Sequence, residues 1–231
     1  VSPVAGSVGI DAHDYGIDVD RVQAPRSALE MLRSRISGRY LIDPFGADPQ
    51  LQDFVLPPLV PLVRVDVARP RNLPRRGPAL LVANRGLGLY EPLVLGMAVR
   101  RVTGRRLRVV GAPDLPAVGD LVRKMGAIGA YPTDLRALLR AGHVAAVPLG
   151  PTWLRTGAGI PPLGLLAAAV GFPVVPVAIR PGGPLGLPVR PWKVTVGRPL
   201  ELDARDLHDP LAPAELAEAA REAVGRLLAP G

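Results

Sequence analysis

Cysteine is absent from the 231 residues, which removes disulfides, thiolate metal sites and a cysteine nucleophile together. Aromatic residues make up 4% of the chain, too few for a platform on which bases stack, so no nucleic acid is expected as a partner. Every serine (2, 7, 27, 34 and 37) lies in the first 37 residues, which excludes a serine nucleophile in the core. Histidine occurs only at 13, 143 and 208. No His, Asp and Glu cluster has metal-ligand spacing, so no metal is expected. A long apolar helix is missing too. The longest charge-free span, 156–179, is cut by Pro161, Pro162, Pro173 and Pro176, which suits a short helix feeding a buried strand rather than a membrane span. The start of the chain lacks the charged and apolar regions of a secretory signal, and a cytoplasmic location is the expectation.

What is present is apolar and basic. Hydrophobic residues reach 48% and charged residues 21%, the balance of a globular domain with a substantial core. The net charge is +8 and the isoelectric point about 10.9, which favours phosphates, acidic lipid surfaces or acidic proteins as partners. Only Lys124 and Lys193 are lysines among the 28 cations. Residues 1–27 are aperiodic and contain Gly, Pro and Ser, which predicts a flexible N-terminal arm before an α/β domain over 28–231.

Hydrophobic periodicity predicts a helix over 26–37. A second apolar helix begins at Leu51, with prolines breaking it into pieces, and Val63–Val67 alternates as a strand. From there strands and helices follow one another: strand 78–84, helix 91–104, strand 106–113, helix 117–130 running into a short strand. Helix 133–142 follows, with Thr133 as N-cap and Gly142 as stop, then strand 143–150, helix 162–171, strands 173–180 and 192–202, and helix 212–229. Buried strands alternating with helices predict a largely parallel central sheet flanked by helices, with the N-terminal helices as a lead-in.

In open α/β sheets ligands collect at the carboxyl ends of strands. Two such ends stand out. In "LLVANRGLGLYEPLVLG", an apolar run stops at Asn84-Arg85 and a Gly86-Leu87-Gly88 turn leads through Tyr90 to Glu91-Pro92. In "HVAAVPLGPTWLRTGAG", a second run stops at Leu149-Gly150 and continues through Thr152 to Arg155, which precedes a flexible Gly-rich stretch. Arg85 and Glu91 can brace the turn as an ion pair. Alternatively, Arg85 holds a phosphate or carboxylate beside backbone amides at the helix start, with Gly86, Gly88, Thr152 and Arg155 as further ligand contacts.

These two ends, with "MGAIGAYPTDLRALLRAG" between them and "GFPVVPVAIRP" after them, resemble in order and spacing the phospholipid and glycerol acyltransferase family over roughly residues 50 to 200. The lead-in "GRYLIDPFGADPQLQDFVLPPLVPLVRVDV" is similar to that of actinobacterial members. The resemblance implies a glycerol-phosphate acyltransferase-like α/β fold. It also implies a histidine base that takes the proton of an acceptor hydroxyl as that hydroxyl attacks an acyl thioester. This chain departs at the implied chemical positions. Arg85 stands where the family has its histidine, and a guanidinium with a pKa above ~12 accepts no proton at neutral pH. The orienting aspartate corresponds to Tyr90, or to Glu91 with one residue inserted. The motif glutamate is Leu149, although Gly150 and Thr152 stand, and the family's phosphate-binding arginine falls near Pro132.

No other histidine replaces the base. His143 begins the strand that ends at Leu149, about 20 Å from that end at ~3.3 Å per residue. Glu91 or Asp134 could serve only if burial raised its pKa. The resemblance therefore leads to a catalytically degenerate family member that binds a lipid or acyl thioester (acyl-CoA or an acyl carrier) at a membrane surface, with no cofactor. Its alternatives are an active enzyme passing an acyl group from acyl-CoA to a lysophospholipid or glycolipid hydroxyl with a non-standard base, and a regulatory partner of an active paralogue or of a second copy. A dinucleotide-binding unit, suggested by Gly86-Leu87-Gly88 and Asp114, meets Glu91 where the third glycine belongs, and its charge opposes a pyrophosphate. The arginines of "VRVDVARPRNLPRR" and "RRVTGRRLRV" are expected on the anionic inner membrane face, beside the apolar "FVLPPLVPLV".

Overall fold

The computed structural model describes residues 10–11, 28–38, 40–59, 63–84, 91–111, 118–149, 163–183, 191–200 and 209–229. A two-residue strand β1 (Ile10–Asp11) pairs parallel with β2 (Leu41–Ile42). Two helices, α1 (Ala28–Ile36) and α2 (Pro49–Leu59), complete the lead-in. The central sheet has seven strands in the order β3 (Val65–Ala68), β9 (Trp192–Val196), β8 (Val174–Arg180), β4 (Ala79–Asn84), β7 (Val144–Leu149), β5 (Leu107–Val110) and β6 (Ala127–Ile128). From β8 to β6 all pairs are parallel; β9 runs antiparallel to β8, and β3 parallel to β9. The expected largely parallel α/β sheet is what forms.

The reason lies in burial. The first five residues of β4, and the first six of β8, are buried, as a strand covered by helices on both faces must be, and such strands read as continuous apolar runs. One face carries α3 (Glu91–Thr103), whose Val94, Leu95, Ala98 and Val99 pack with Leu81, Ala83 and Val177. The other carries α5 (Pro132–Arg140), α6 (Leu163–Ala169) and α7 (Ala212–Leu228), packed against Leu80, Val82, Ala145 and Val147. Each fully buried Leu or Val contributes about 1.5–3 kcal/mol. Helix α4 (Val118–Lys124) precedes β6. Gly104 (φ 74°) and Gly142 (φ 85°) follow α3 and α5 in the left-handed region, where glycine ends a helix without a Cβ penalty.

Several boundaries differ from expectation. Helix α2 runs through Pro57 and Pro58 instead of breaking there. Prolines near a helix's end sacrifice their own N–H bonds but leave only a short stretch to disrupt. The N-cap of α5 is Tyr131 rather than Thr133, because Pro132 takes the first helical position, where its fixed φ and missing N–H suit it. Thr133 Oγ1 instead lies 3.5 Å from Asp134 Oδ1. Strand β9 ends at Val196, short of 202: Gly197 and Pro199 interrupt it, and Leu200 returns as an isolated bridge to Val174.

Ion pairs bind the lead-in to the sheet and to α3. Asp43 meets Arg108 of β5, with both side chains under 5% exposed. Asp53 of α2 takes Arg100 at 2.6 Å and Arg106 at 2.7 Å. Phe45 packs edge-on against His143, with ring centroids 5.7 Å apart.

Candidate functional site

Strand order marks the place where an open α/β sheet carries its ligand crevice. The connection from β4 through α3 passes over β7 to β5 on one face of the sheet. The connection from β7 through α6 passes over β4 to β8 on the other. Neighbouring strands β4 and β7 therefore send their chains in opposite directions, and between their carboxyl ends lies a topological switch point, where open α/β sheets bind ligands. Asn84 and Leu149 are register partners at that point, so the two strand ends singled out in the sequence meet there.

Three of the motif positions fall within the described residues, and each has a visible role. Asn84 turns its carboxamide toward β8: Nδ2 donates to Ile179 O at 2.9 Å, and Oδ1 accepts from Ile179 N at 2.6 Å. Leu149 packs against the apolar layer of α5, α6 and α7. Glu91 opens α3 and is buried, 6% exposed. An acidic side chain in a first helical turn meets the positive end of the helix dipole. Arg85, Gly86, Gly88, Tyr90, Gly150, Thr152 and Arg155 lie outside the described residues, as do Asp114, His13 and His208.

Of the two carboxylates considered as a substitute base, Asp134 is exposed on the first turn of α5, while Glu91 is buried at the crevice end of α3. His143 precedes β7 and accepts a backbone bond from Ala79 at the amino end of β4, at the opposite end from Leu149. Arg180, at the carboxyl end of β8, is engaged elsewhere: its Nη2 donates to the carbonyls of Leu227, Leu228 and Ala229 at 3.2, 2.8 and 2.9 Å. It caps α7, a role that a positive charge fills at a helix C-terminus. Among the described residues no group of three or more His, Asp or Glu could hold a metal ion.

The basic segments divide. The arginines of "RRVTGRRLRV" have partners within the chain. Arg100, Arg106 and Arg108 pair with Asp53 and Asp43, Arg101 donates to Val65 O, and Arg105 to the carbonyls of Pro74 and Gly142. Their acidic partners lie 47 residues or more away in sequence, so no local pattern announces them. By contrast, Arg64, Arg69, Arg71, Arg75 and Arg76 are all exposed. Arg69 to Arg76 occupy the β3–β4 connection, at the amino end of β4, and the Asn72 side chain fastens that connection to Val196 O at 3.1 Å. No helix among the described residues is long and apolar enough to cross a membrane.

The seven-stranded, mostly parallel sheet with helices on both faces is similar in fold to a solved acyltransferase. The chain superposes on the 1-acyl-sn-glycerophosphate (LPA) acyltransferase PlsC from Thermotoga maritima with a TM-score of 0.51, covering 77% of this chain and 80% of that one at 18% identity. The likeness is one of fold. In sequence the chain is similar to uncharacterised proteins of Mycobacterium bovis and Mycobacterium tuberculosis. Each is 36% identical over 55% of this chain and 39% of the relative. A Mycobacterium leprae protein is 39% identical over 50% of this chain and 35% of its own length. The chain thus spans about two fifths of the curated relatives it matches, 39% for the first. No family model matches it.

Proposed function

We propose that the chain is an acyltransferase-family protein that holds a lipid or acyl thioester in the β4–β7 crevice and has lost the family's usual proton-transfer step. The observation that carries this reading is the fate of two motif positions at the switch point. Asn84 is committed to the backbone of Ile179, and Leu149 to the apolar layer; both serve architecture. The residue between Asn84 and Gly86 is an arginine, permanently protonated at neutral pH.

The burial of Glu91 beside the crevice supports a second reading. In it Glu91 accepts the proton of an acceptor hydroxyl, and the acyl group passes from acyl-CoA to a lysophospholipid or glycolipid with release of the thiol. Thiol release from acyl-CoA with lysophospholipid acceptors separates the two. The first expects no turnover above that of an Arg85→Ala, Glu91→Gln double variant. Turnover abolished by Glu91→Gln alone establishes the second. Native mass spectrometry of the purified protein tests ligand holding directly, with a co-purified or titrated acyl species as the expected result. Peripheral contact with an anionic bilayer belongs to the same proposal, with Arg64 to Arg76 supplying charge at about 1 kcal/mol per near-surface cation. Arg69 to Arg76 lie at the other end of β4 from the crevice, so mutation can separate adhesion from ligand holding.

A further inference from the structure

Asn84 ends β4, and its side chain does what the next backbone units of a continuing strand would do. The parallel register sets Leu80 opposite Val174 and Ala83 opposite Val177. Ile179 therefore lies beyond the last register pair, where backbone past Asn84 would have to meet it. Instead the carboxamide supplies one donor and one acceptor, at 2.9 and 2.6 Å, to the carbonyl and N–H of that single residue. A primary amide on a one-carbon stem has the same pair of groups as a peptide unit, side by side and coplanar. The clamp completes the β4–β8 seam without using main chain beyond Asn84. On its other flank Asn84 faces Leu149, the last residue of the strand whose connection departs to the opposite face.

We infer that Asn84 is a positioning residue: its bidentate bond to Ile179 fixes the carboxyl end of β4 against β8, and with it the point beside Leu149 from which the chain leaves the sheet at the β4–β7 switch point. The residue type follows. Glutamine places the amide one methylene too far, leucine offers neither group, and aspartate offers two acceptors and sets a charge against the Ile179 carbonyl. The clamp rests on two hydrogen bonds; only the identity of the ligand received at the switch point rests on the function proposed above.

The test compares amide exchange, normalised to unfolded-chain rates, in the wild type, Asn84→Ala and Asn84→Asp, with titration of a long-chain acyl-CoA on each. For Asn84→Ala, protection at Ile179 should fall at least about tenfold, with a matching loss at Leu149, while Val82 and Val147 stay within about twofold. Asn84→Asp should regain protection at Ile179 only when its carboxyl is protonated, because the acid again offers one donor and one acceptor. Wild type and Asn84→Ala carried through the same pH series control for the other charged residues described at this end of the sheet, Glu91, Arg180, Lys193, Arg64 and Asp134. Unchanged protection at Ile179, or an even loss across all four amides, overturns the clamp. If the wild type binds acyl-CoA and Asn84→Ala binds it equally well, Asn84 is a structural tie and the positioning role falls. If the wild type binds none, the acyl reading fails, while the exchange data still judge the clamp.

Discussion

Removing the carboxylate of Asp43 should be among the most damaging single changes to this chain, and its cost can be built up from the contacts. One oxygen, Oδ1, accepts from the backbone N–H groups of Phe45 and Ala47 at 3.0 and 2.8 Å. The other faces Arg108, whose side chain is 4% exposed. Asp43→Ala therefore opens the turn and leaves a guanidinium buried without this counter-charge. Breaking a buried pair from one side costs about 3–5 kcal/mol. The two turn bonds add about 1 kcal/mol each. Against a total stability of about 5–15 kcal/mol, that approaches unfolding.

Asp43→Asn isolates the charge, because its oxygen still accepts both N–H bonds; it should cost about 3 kcal/mol, or about 6–12 °C in Tm for a domain of this length. Arg108→Met should cost less, since Asp43 keeps its two backbone donors. The double variant Asp43→Asn, Arg108→Met should recover at least about 1.5 kcal/mol relative to the sum of the singles, as expected for residues in direct contact. Urea and thermal melts, checked for two-state behaviour, measure all four. A fall in Tm of less than about 2 °C for Asp43→Asn, or strict additivity in the double variant, would refute the assignment of charge pairing to this contact.

Arg180→Ala removes three bonds to the last carbonyls of α7 and should cost about 1–3 kcal/mol, with early fraying of that helix in amide exchange; unaltered exchange over residues 225–229 would contradict the capping role. Arg71→Glu with Arg75→Glu should abolish flotation with anionic vesicles and leave the melting temperature unchanged, since both side chains are exposed. Equal flotation with neutral vesicles would count against electrostatic adhesion.

Much of the architecture was legible because burial writes itself into the chain. Strands β4, β7 and β8 announced themselves as apolar runs, since helices on both faces leave few places for a polar side chain. Gly104 and Gly142 marked two helix ends because only a residue without a Cβ takes that φ freely. Pro132 misled about the cap of α5: the proline itself, and not the threonine beside it, sets the first turn. The basic segment at 100–108 gave no sign of its partners. A run of arginines looks the same in sequence whether it faces lipid or reaches Asp53 and Asp43.

The order and type of the main sheet's strands and helices, the candidate strand ends and the arginine that follows Asn84 were determined by sequence alone, because periodicity and residue identity are local properties. That β4 lies between β8 and β7, that Asn84 faces Leu149 and clamps Ile179 95 residues away, and that Asp43 neutralises Arg108 were decided only in the folded chain. Pairing between distant segments depends on which buried surfaces cover one another, and no short window of residues carries that information.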